Sequence, residues 1–249
     1  MDEATVKSEV RQKYAAVARG GGYCCASSDC CSQEGAEMAR LVDYGALRQE
    51  IVESADLGLG CGMPTRFADL KPGEVVLDLG SGGGVDVFLA AEAVGPEGRV
   101  IGVDMTPEMI ARARENAFRG RYANVEFRLG EIEALPVADV SVDVVLSNCV
   151  INLVPDKARV FSEIHRVLRS GGRFCISDIV SYGRVPKEVR RDGELWAGCI
   201  AGAMDKDEYL RLIEESGFGE VRVHHLEDYS QFLGSGYGFA SITVEGVKP

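Results

Sequence analysis

The hydrophobic pattern of the chain changes from a helical spacing near its start to an alternation of short apolar runs and amphipathic segments beyond residue 72. Short apolar runs are typical of buried strands, whereas apolar residues three or four positions apart are typical of one helix face. The runs predict strands at 75–79, 100–103, 125–129, 142–147, 173–178, 220–226 and 239–247. The helical spacings predict helices at 4–18, 35–55, 84–94, 156–168 and 205–216, and one more that begins at Thr106 and Pro107.

This order of elements indicates an α/β fold. Alternating strands and helices favour a mostly parallel sheet with helices on both faces. We therefore predict a Rossmann-like sheet whose ligand-binding domain spans residues 65–180. Residues 1–64 are predicted to form an N-terminal helical extension with a cysteine-rich loop. Residues 181–249 are predicted to form a C-terminal α+β extension that completes the sheet.

Composition and charge narrow the range of partners. The chain has 249 residues, 46% of them hydrophobic, which is enough for one large folded domain. Its formal net charge of −12 disfavours nucleic acid, because the phosphates would be repelled. No apolar run reaches the roughly 18–20 residues that span a bilayer, and the first residues lack the pattern of a signal peptide. We therefore expect a cytoplasmic protein that binds neither nucleic acid nor membrane, and we predict a monomer.

A glycine-rich turn follows the first predicted strand and leads directly into a helix. Glycines at such a turn let the backbone adopt positive φ and let a ligand approach closely. Asp78 precedes the turn, and Asp104 ends the next strand, where a carboxylate can accept both hydroxyls of a ribose. A nicotinamide-binding Rossmann domain is the alternative, but Asp78 would be a poor neighbour for its pyrophosphate. The candidate ligand-binding residues of the turn itself are Gly80, Ser81, Gly82 and Gly84.

These features together resemble the class I S-adenosylmethionine-dependent methyltransferases over residues 65–180. The resemblance implies S-adenosylmethionine as the cofactor, with the glycines and Asp78 around its methionine part. It also implies that Asp104 holds the ribose and that Met105 packs against the adenine ring. The other cofactor-binding residues that it implies are Glu131 and Ile132, at the adenine edge, and Asn148.

Three cysteines far apart in the sequence lie in contexts that could bring their sulfurs together. Cys61 lies in a glycine-rich turn, Cys149 follows the fourth predicted strand, and Cys199 lies among small residues after the fifth. The carboxyl ends of parallel strands form the edge at which open α/β sheets bind ligands. Three thiolates suit a soft, thiophilic centre and select against cations that prefer oxygen ligands. Cys175, by contrast, lies within an apolar strand and is predicted to be a core residue.

The segments around these three cysteines resemble the arsenite methyltransferases, and the resemblance extends from about residue 8 to the end of the chain. The segments are LGLGCG at 57–62, NCVINL at 148–153 and GCIAG at 198–202. The resemblance implies that Cys61, Cys149 and Cys199 bind As(III) and carry the catalysis. The lone pair of the arsenic would attack the methyl group of the cofactor in line, which gives methylated arsenicals. It further implies thioredoxin or glutathione as the thiol reductant.

Four more cysteines crowd a polar loop near the start of the chain. They are Cys24, Cys25, Cys30 and Cys31. Their spacing differs from that of common structural zinc sites, and exchangeable thiols are the favoured interpretation. The resemblance implies that one of them exchanges disulfides with the arsenic-binding thiols, and we assign this redox relay to Cys25.

Two other functions remain compatible with the sequence. One is a methyltransferase for a small organic acceptor, such as a quinone or a sterol precursor, with incidental cysteines. The other is a non-catalytic protein that binds As(III) or another metal through its thiols. The arsenite hypothesis predicts that Cys61, Cys149 and Cys199 are each essential, while Cys175 is not.

Overall fold

The structure is a computed structural model that describes residues 3–20, 55–190, 195–196, 198–228 and 236–249. The strands are β1 (Val75–Leu79), β2 (Arg99–Asp104), β3 (Val125–Leu129), β4 (Val142–Asn148), β5 (Leu168–Gly183), β6 (Met204–Asp205), β7 (Gly219–Asp228) and β8 (Tyr237–Val247). The helices of this part are α1 (Glu3–Ala18), α2 (Pro64–Phe67), α3 (Val85–Val94), α4 (Pro107–Gly120), α5 (Lys157–Val167), α6 (Lys187–Arg190) and α7 (Lys206–Glu215), with a 3₁₀ turn at Ile151–Leu153.

All eight strands belong to one sheet with the order β3-β2-β1-β4-β5-β8-β7, and β6 pairs with the end of β5. The pairs among β1 to β5 are parallel, whereas β8 runs antiparallel to β5 and β7. The chain proceeds outward from β1 to β3 and then returns to the other side of β1. The carboxyl ends of β1 and β4 therefore form the switch point at which such sheets bind ligands.

Two apolar cores cover the two faces of the sheet, as the sequence predicts. One core contains Phe161 of α5 and Tyr209 of α7, and the other contains Phe88 of α3 with Phe127 of β3. A third apolar cluster lies at the carboxyl edge of the strands, where Val6 and Val10 of α1 pack among strand ends and loops. Helix α1 thereby closes over the ligand-binding edge.

The differences from the predicted elements have local causes. The predicted turn before the fifth strand is already part of β5, because Gly171 and Gly172 exchange backbone hydrogen bonds with Lys248. Asp156 caps α5 as the aspartate suggested, its carboxylate accepting from the Arg159 N–H at 2.9 Å. Thr106 occupies the N-cap position of α4 without a side-chain capping bond.

The structure leaves two sequence-based expectations untested, the predicted helix at 35–55 and the predicted domain limits. Of the predicted helix at 35–55, only its final residue lies within the described residues. The domain limits at 64 and 180 stay predictions, although β5 runs past residue 180 and the strands that follow complete the same sheet.

Among the helices of the described ranges, none is long and apolar enough to cross a membrane.

Candidate active site

A cavity lies at the carboxyl ends of β1, β2 and β4, and the glycine turn after β1 forms part of its wall. Gly80 and Gly82 both have positive φ, at +66° and +50°. A Cβ on Gly80 would collide with Val150, whereas a Cβ on Gly82 would meet nothing within 4 Å. Gly80 is therefore needed for packing between two loops, and Gly82 leaves open space where a ligand can approach the backbone.

Three buried carboxyl groups lie in the wall of this cavity, on Asp78, Asp86 and Asp104. Burial raises the pKa of Asp78 well above its usual range, and the neighbouring Asp86 and Asp104 carboxylates raise it further. Burial raises the pKa of Asp86 to about 6, although hydrogen bonds from Asn148 and Thr65 oppose the rise. Such a group of acidic side chains is suited to a ligand that carries positive charge and hydroxyl donors.

Asp104 ties the end of β2 to the glycine turn. Its Oδ2 accepts the Gly82 N–H at 3.0 Å, and its Oδ1 accepts the Thr106 N–H at 2.8 Å. The Thr106 hydroxyl also bonds to this carboxylate. A carboxylate has about four acceptor positions, so the group can still accept a hydroxyl from a ribose while the turn keeps its shape. The predicted role of Asp104 is compatible with this geometry.

A disulfide joins Cys61 to Cys149 next to the cavity, with a Cα–Cα distance of 5.7 Å across 88 residues of sequence. The carboxyl of Asp178 lies beside this pair, and its nearest oxygen and the two sulfurs are all within 4.8 Å of one another. Burial raises the pKa of Asp178 to about 7. Hydrogen bonds from the N–H groups of Ile179 and Asn152 and the positive charge of Lys157 oppose this rise. Asp178 gave no signal in the sequence beyond its place in a strand.

Cys199 is buried in the same apolar cluster, and its Sγ donates to the carbonyl oxygen of Cys149 at 3.0 Å. In the described part of the chain, the group of ligand atoms around the disulfide contains Asp178 and not the Cys199 sulfur. The structure therefore brings the three predicted cysteines together at one edge, with two sulfurs bonded and the third thiol turned to the backbone.

The loops that carry these cysteines are held by close backbone approach. Cys149 and Cys199 have φ of +57° and +64°, in the left-handed region that favours glycine. A Cβ on Gly62 would collide with Ser177, and one on Gly202 would collide with the Asn152 carbonyl. Glycine next to Cys61 thus lets the first turn pack closely on β5, and glycine three residues after Cys199 lets the second pack on the 3₁₀ turn.

Most of the predicted cofactor-binding residues do line the cavity. They are Asp78, Gly80, Ser81, Gly82, Asp104, Met105, Ile132 and Asn148. Gly84 and Glu131 are not in its wall. A Cβ on Gly84 would press on Phe88 and Phe127, so this glycine serves helix packing. The Glu131 carboxylate pairs instead with Lys7 and Arg11 of α1.

Helix α1 contributes cavity residues that the sequence did not suggest. Lys7, Val10 and Tyr14 line the cavity, and Lys7 pairs with Glu133 at 2.7 Å and with Glu131 at 3.0 Å. The charged residues of α1 at helical spacing were visible in the sequence, but their partners lie more than 100 residues away.

The remaining cysteines divide into two groups. Cys175 is fully buried in an apolar core, which confirms its predicted structural role, and burial raises the pKa of its thiol. Cys24, Cys25, Cys30 and Cys31 lie outside the described residues, so the relay role of Cys25 stays a prediction.

The fold and the acidic, glycine-walled cavity define the class of protein, a class I S-adenosylmethionine-dependent methyltransferase. A family described as a methyltransferase domain matches residues 70–217. An arsenite methyltransferase of Halobacterium salinarum is 47% identical over the whole chain and 68% of its own length. The arsenite methyltransferase of Aquipseudomonas alcaligenes is 43% identical over 66% of this chain and 49% of its own length.

A solved structure gives the same result. The arsenic(III) S-adenosylmethionine methyltransferase of Chlamydomonas reinhardtii has a TM-score of 0.72 and 38% identity, over 82% of this chain and 71% of that one. The chain belongs to the arsenite methyltransferase family. It spans about two thirds of the length of the Halobacterium relative and about half that of the Aquipseudomonas relative.

Proposed function

We propose that this chain transfers methyl groups from S-adenosylmethionine to As(III) held by Cys61, Cys149 and Cys199. The observation that carries the proposal is the position of Cys149. This cysteine is bonded to Cys61, its carbonyl oxygen accepts a hydrogen bond from the Cys199 thiol, and it lines the cavity that the glycine turn and the carboxylates form. The soft donors and the cofactor cavity therefore share one wall.

The cavity residues fit the cofactor on physical grounds. Gly82 leaves open space beside its backbone, and Asp104 retains lone pairs for hydroxyl donors. The buried carboxyls of Asp78 and Asp86 suit a ligand with cationic groups. S-adenosylmethionine, when bound, supplies a methyl group on a sulfonium centre that is already an activated leaving group.

Reduction of the Cys61–Cys149 disulfide must precede arsenic binding. Two electrons and two protons from a dithiol, or from two molecules of a monothiol, convert the S–S bond to two thiols and leave the reductant as a disulfide. Thioredoxin or glutathione is the proposed reductant. A cytoplasmic monomer that acts on trivalent arsenicals is part of the same proposal.

Arsenite then exchanges its hydroxyls for the three thiols. Each As–S bond forms as one As–O bond breaks, and the thiol proton leaves with the hydroxyl as water, so three waters are released. The As(III) centre keeps a lone pair, which is the nucleophile, and no side chain is needed as a general base. The work of the chain is to hold the arsenic, exclude water and align it with the methyl group.

The test is the arsenite-dependent conversion of S-adenosylmethionine to S-adenosylhomocysteine, with a thiol reductant present. We expect turnover in the wild-type protein and a loss of about 100-fold or more in Cys61→Ser, Cys149→Ser and Cys199→Ser. Cys175→Ala, which removes a buried core thiol, is the matched control and should keep most of the turnover.

Other results would point to the two alternative functions. Turnover that does not depend on arsenite would indicate an organic acceptor. Tight As(III) binding without consumption of the cofactor would indicate a thiol-based binding protein. Full turnover in all three serine variants would refute the three-sulfur site.

A further inference from the structure

The side chain of Asn148, at the end of β4, connects the cofactor cavity to the turn that carries Cys61. Its Oδ1 accepts the Cys61 N–H at 3.1 Å, and its Nδ2 donates to the Gly62 carbonyl at 2.9 Å. The same Nδ2 also donates to Oδ2 of Asp86 at 3.1 Å. One amide therefore holds both the backbone on either side of a proposed arsenic ligand and a carboxylate of the cavity wall.

Asp86, in the first turn of α3, is an acidic side chain with an incomplete set of partners. It is only 7% exposed, and although Asn148 and Thr65 bond to the carboxyl, its Oδ1 is buried without a hydrogen-bond partner in the part of the chain that the structure describes. The carboxylates of Asp56 and Asp78 lie close enough to add repulsion. A buried carboxylate whose nearby charges are negative is costly in the absence of a cation.

The cation is to be expected in the cavity that Asp86 lines. S-adenosylmethionine carries positive charge on its sulfonium and on its α-ammonium, both in its methionine part. Positive charge in the cavity favours the ionised form of Asp86, and an ionised acceptor makes the stronger hydrogen bond to Asn148.

We propose that Asp86 is a positioning residue that senses the positive charge of the cofactor and, through Asn148, fixes the Cys61 turn for arsenic binding. This inference deepens the proposed function and, in its arsenic part, rests on it. Cofactor and As(III) then bind with positive coupling, and by linkage each raises the affinity for the other by the same factor. A cofactor-loaded site would be the one best shaped to accept the substrate.

The first experiment measures equilibrium dissociation constants in Asp86→Asn without arsenic. The amide oxygen of asparagine can still accept from Asn148, so this variant separates charge from shape. The probes are S-adenosylmethionine and methylthioadenosine, which keeps the adenosine and the sulfur but lacks the sulfonium and the amino acid. We expect S-adenosylmethionine to bind about tenfold more weakly or worse, and methylthioadenosine to bind within about twofold of wild type. Equal weakening of both ligands, or of neither, would overturn the proposal.

A matched control comes from Asp139→Asn, an identical chemical change at an exposed carboxylate that pairs with Arg166 and is not part of the cavity wall. Both dissociation constants should remain at their wild-type values in this variant. A loss in the control equal to that in Asp86→Asn would assign the effect to overall charge and would also overturn the proposal.

The second experiment measures As(III) affinity in the reduced protein, with and without S-adenosylhomocysteine. Trp196 is the chain's sole tryptophan, donates to the Leu153 carbonyl at 3.2 Å and lies three residues before Cys199, so its fluorescence can report binding. S-adenosylhomocysteine retains the α-ammonium and undergoes no methyl transfer.

We expect S-adenosylhomocysteine to tighten As(III) binding by about threefold to tenfold in the wild-type protein and by less than about twofold in Asp86→Asn. An equal ratio in both proteins, or a wild-type ratio of one, would overturn the link. If no As(III) binds at all, the proposed function fails, whereas the comparison of S-adenosylmethionine with methylthioadenosine still decides whether Asp86 senses charge.

Discussion

Cys149 and Cys199 hold their thiols on backbone that most residues avoid. Both have positive φ, and both are buried at the carboxyl edge of the sheet. A side chain with a Cβ in the left-handed region costs about 1–2 kcal/mol relative to glycine. Such conformations persist where the surrounding structure imposes them, and they are common at functional sites. The strained backbone of both residues therefore indicates a functional site, as the chemistry of their thiols does.

This strain gives a prediction for Cys199. Replacement by Gly removes the thiol and the strain, whereas replacement by Ala removes only the thiol. Cys175, in the regular strand β5, provides the matched pair, because glycine is disfavoured within a strand. At each position we compare the free energy of unfolding of the Gly variant with that of the Ala variant. We expect this difference to be about 1–2 kcal/mol more favourable to Gly at position 199 than at position 175. Urea unfolding of the four reduced variants measures it, and equal differences would contradict the strain.

Gly82 supports a second prediction at the level of single residues. Gly82 and Gly73 both have positive φ, and a Cβ on either would meet nothing within 4 Å. Ala at either position should therefore lower the free energy of unfolding by about 1 kcal/mol. Only Gly82 lines the cavity, so only Gly82→Ala should also weaken S-adenosylmethionine binding, by about tenfold. Equal affinity in the two variants would show that the cofactor does not approach this turn.

Ion pairs and buried apolar side chains together attach helix α1 to the rest of the fold at one end of the cavity. Lys7 pairs with Glu131 and Glu133, while Arg11 also pairs with Glu131. Apolar contacts of Val10 and the position of Tyr14 complete this wall. Helix α1 therefore covers one end of the cavity, and the strength of its attachment depends on the charges of Lys7 and Arg11.

Loss of the Lys7 charge should therefore loosen the cover over the cavity. We expect Lys7→Gln to raise the dissociation rate of S-adenosylmethionine by about threefold to tenfold, because partly buried ion pairs contribute on the order of 1 kcal/mol. Lys13→Gln on the same helix is the control, since the ion pairs that α1 makes within the described ranges do not include it. Stopped-flow dissociation measures both rates, and identical rates would mean that α1 does not retain the cofactor.

The sequence predicted elements better than it predicted contacts between them. Strands β1 and β3 both have the predicted ends. In β1 the signal is an apolar run buried on both faces, whereas the edge strand β3 is only partly buried and alternates apolar with charged residues. The start of β5 was wrong, since its pairing with Lys248 depends on a strand far away in the sequence. Likewise, nothing in the local pattern indicated the ion pairs of Glu131 with Lys7 and Arg11 of α1, and its role at the adenine edge stays a prediction. Local patterns do not contain such long-range pairs.

At the scale of the whole molecule, sheet topology assembles the site. Residues from the turn before β1 and from the ends of β1, β2, β4 and β5 meet at one edge, although Cys61 and Cys149 are 88 residues apart. The sequence contexts of the three cysteines predicted that their sulfurs could come together, and the structure places them at this edge, while their role in binding As(III) stays a proposal. The positions of Asp86 and Asp178 beside them were not predicted, because the neighbours that bury an aspartate at a helix start or within a strand are not visible in the local sequence.

The buried carboxyls link cofactor binding to the protonation state of the molecule. The pKa of Asp86 is raised to about 6 by burial, with Asp56 adding to it, and the pKa of Asp78 is raised in the same direction. As pH falls through 6, Asp86 takes up a proton, and its attraction for a cation is lost. A bound cation lowers the pKa of Asp86, so binding near pH 6 must release protons.

We therefore expect the dissociation constant of S-adenosylmethionine to rise by about tenfold between pH 7 and pH 5, since one proton coupled to binding gives up to tenfold per pH unit. Calorimetry in buffers of different ionisation enthalpy should show proton release near pH 6. Methylthioadenosine, which lacks both cationic groups, should bind with nearly the same affinity at the two pH values. Affinity for S-adenosylmethionine that is constant or tighter at pH 5 would contradict the sign of the pKa shifts, whereas a parallel loss for both ligands would indicate that the cavity itself changes shape in acid.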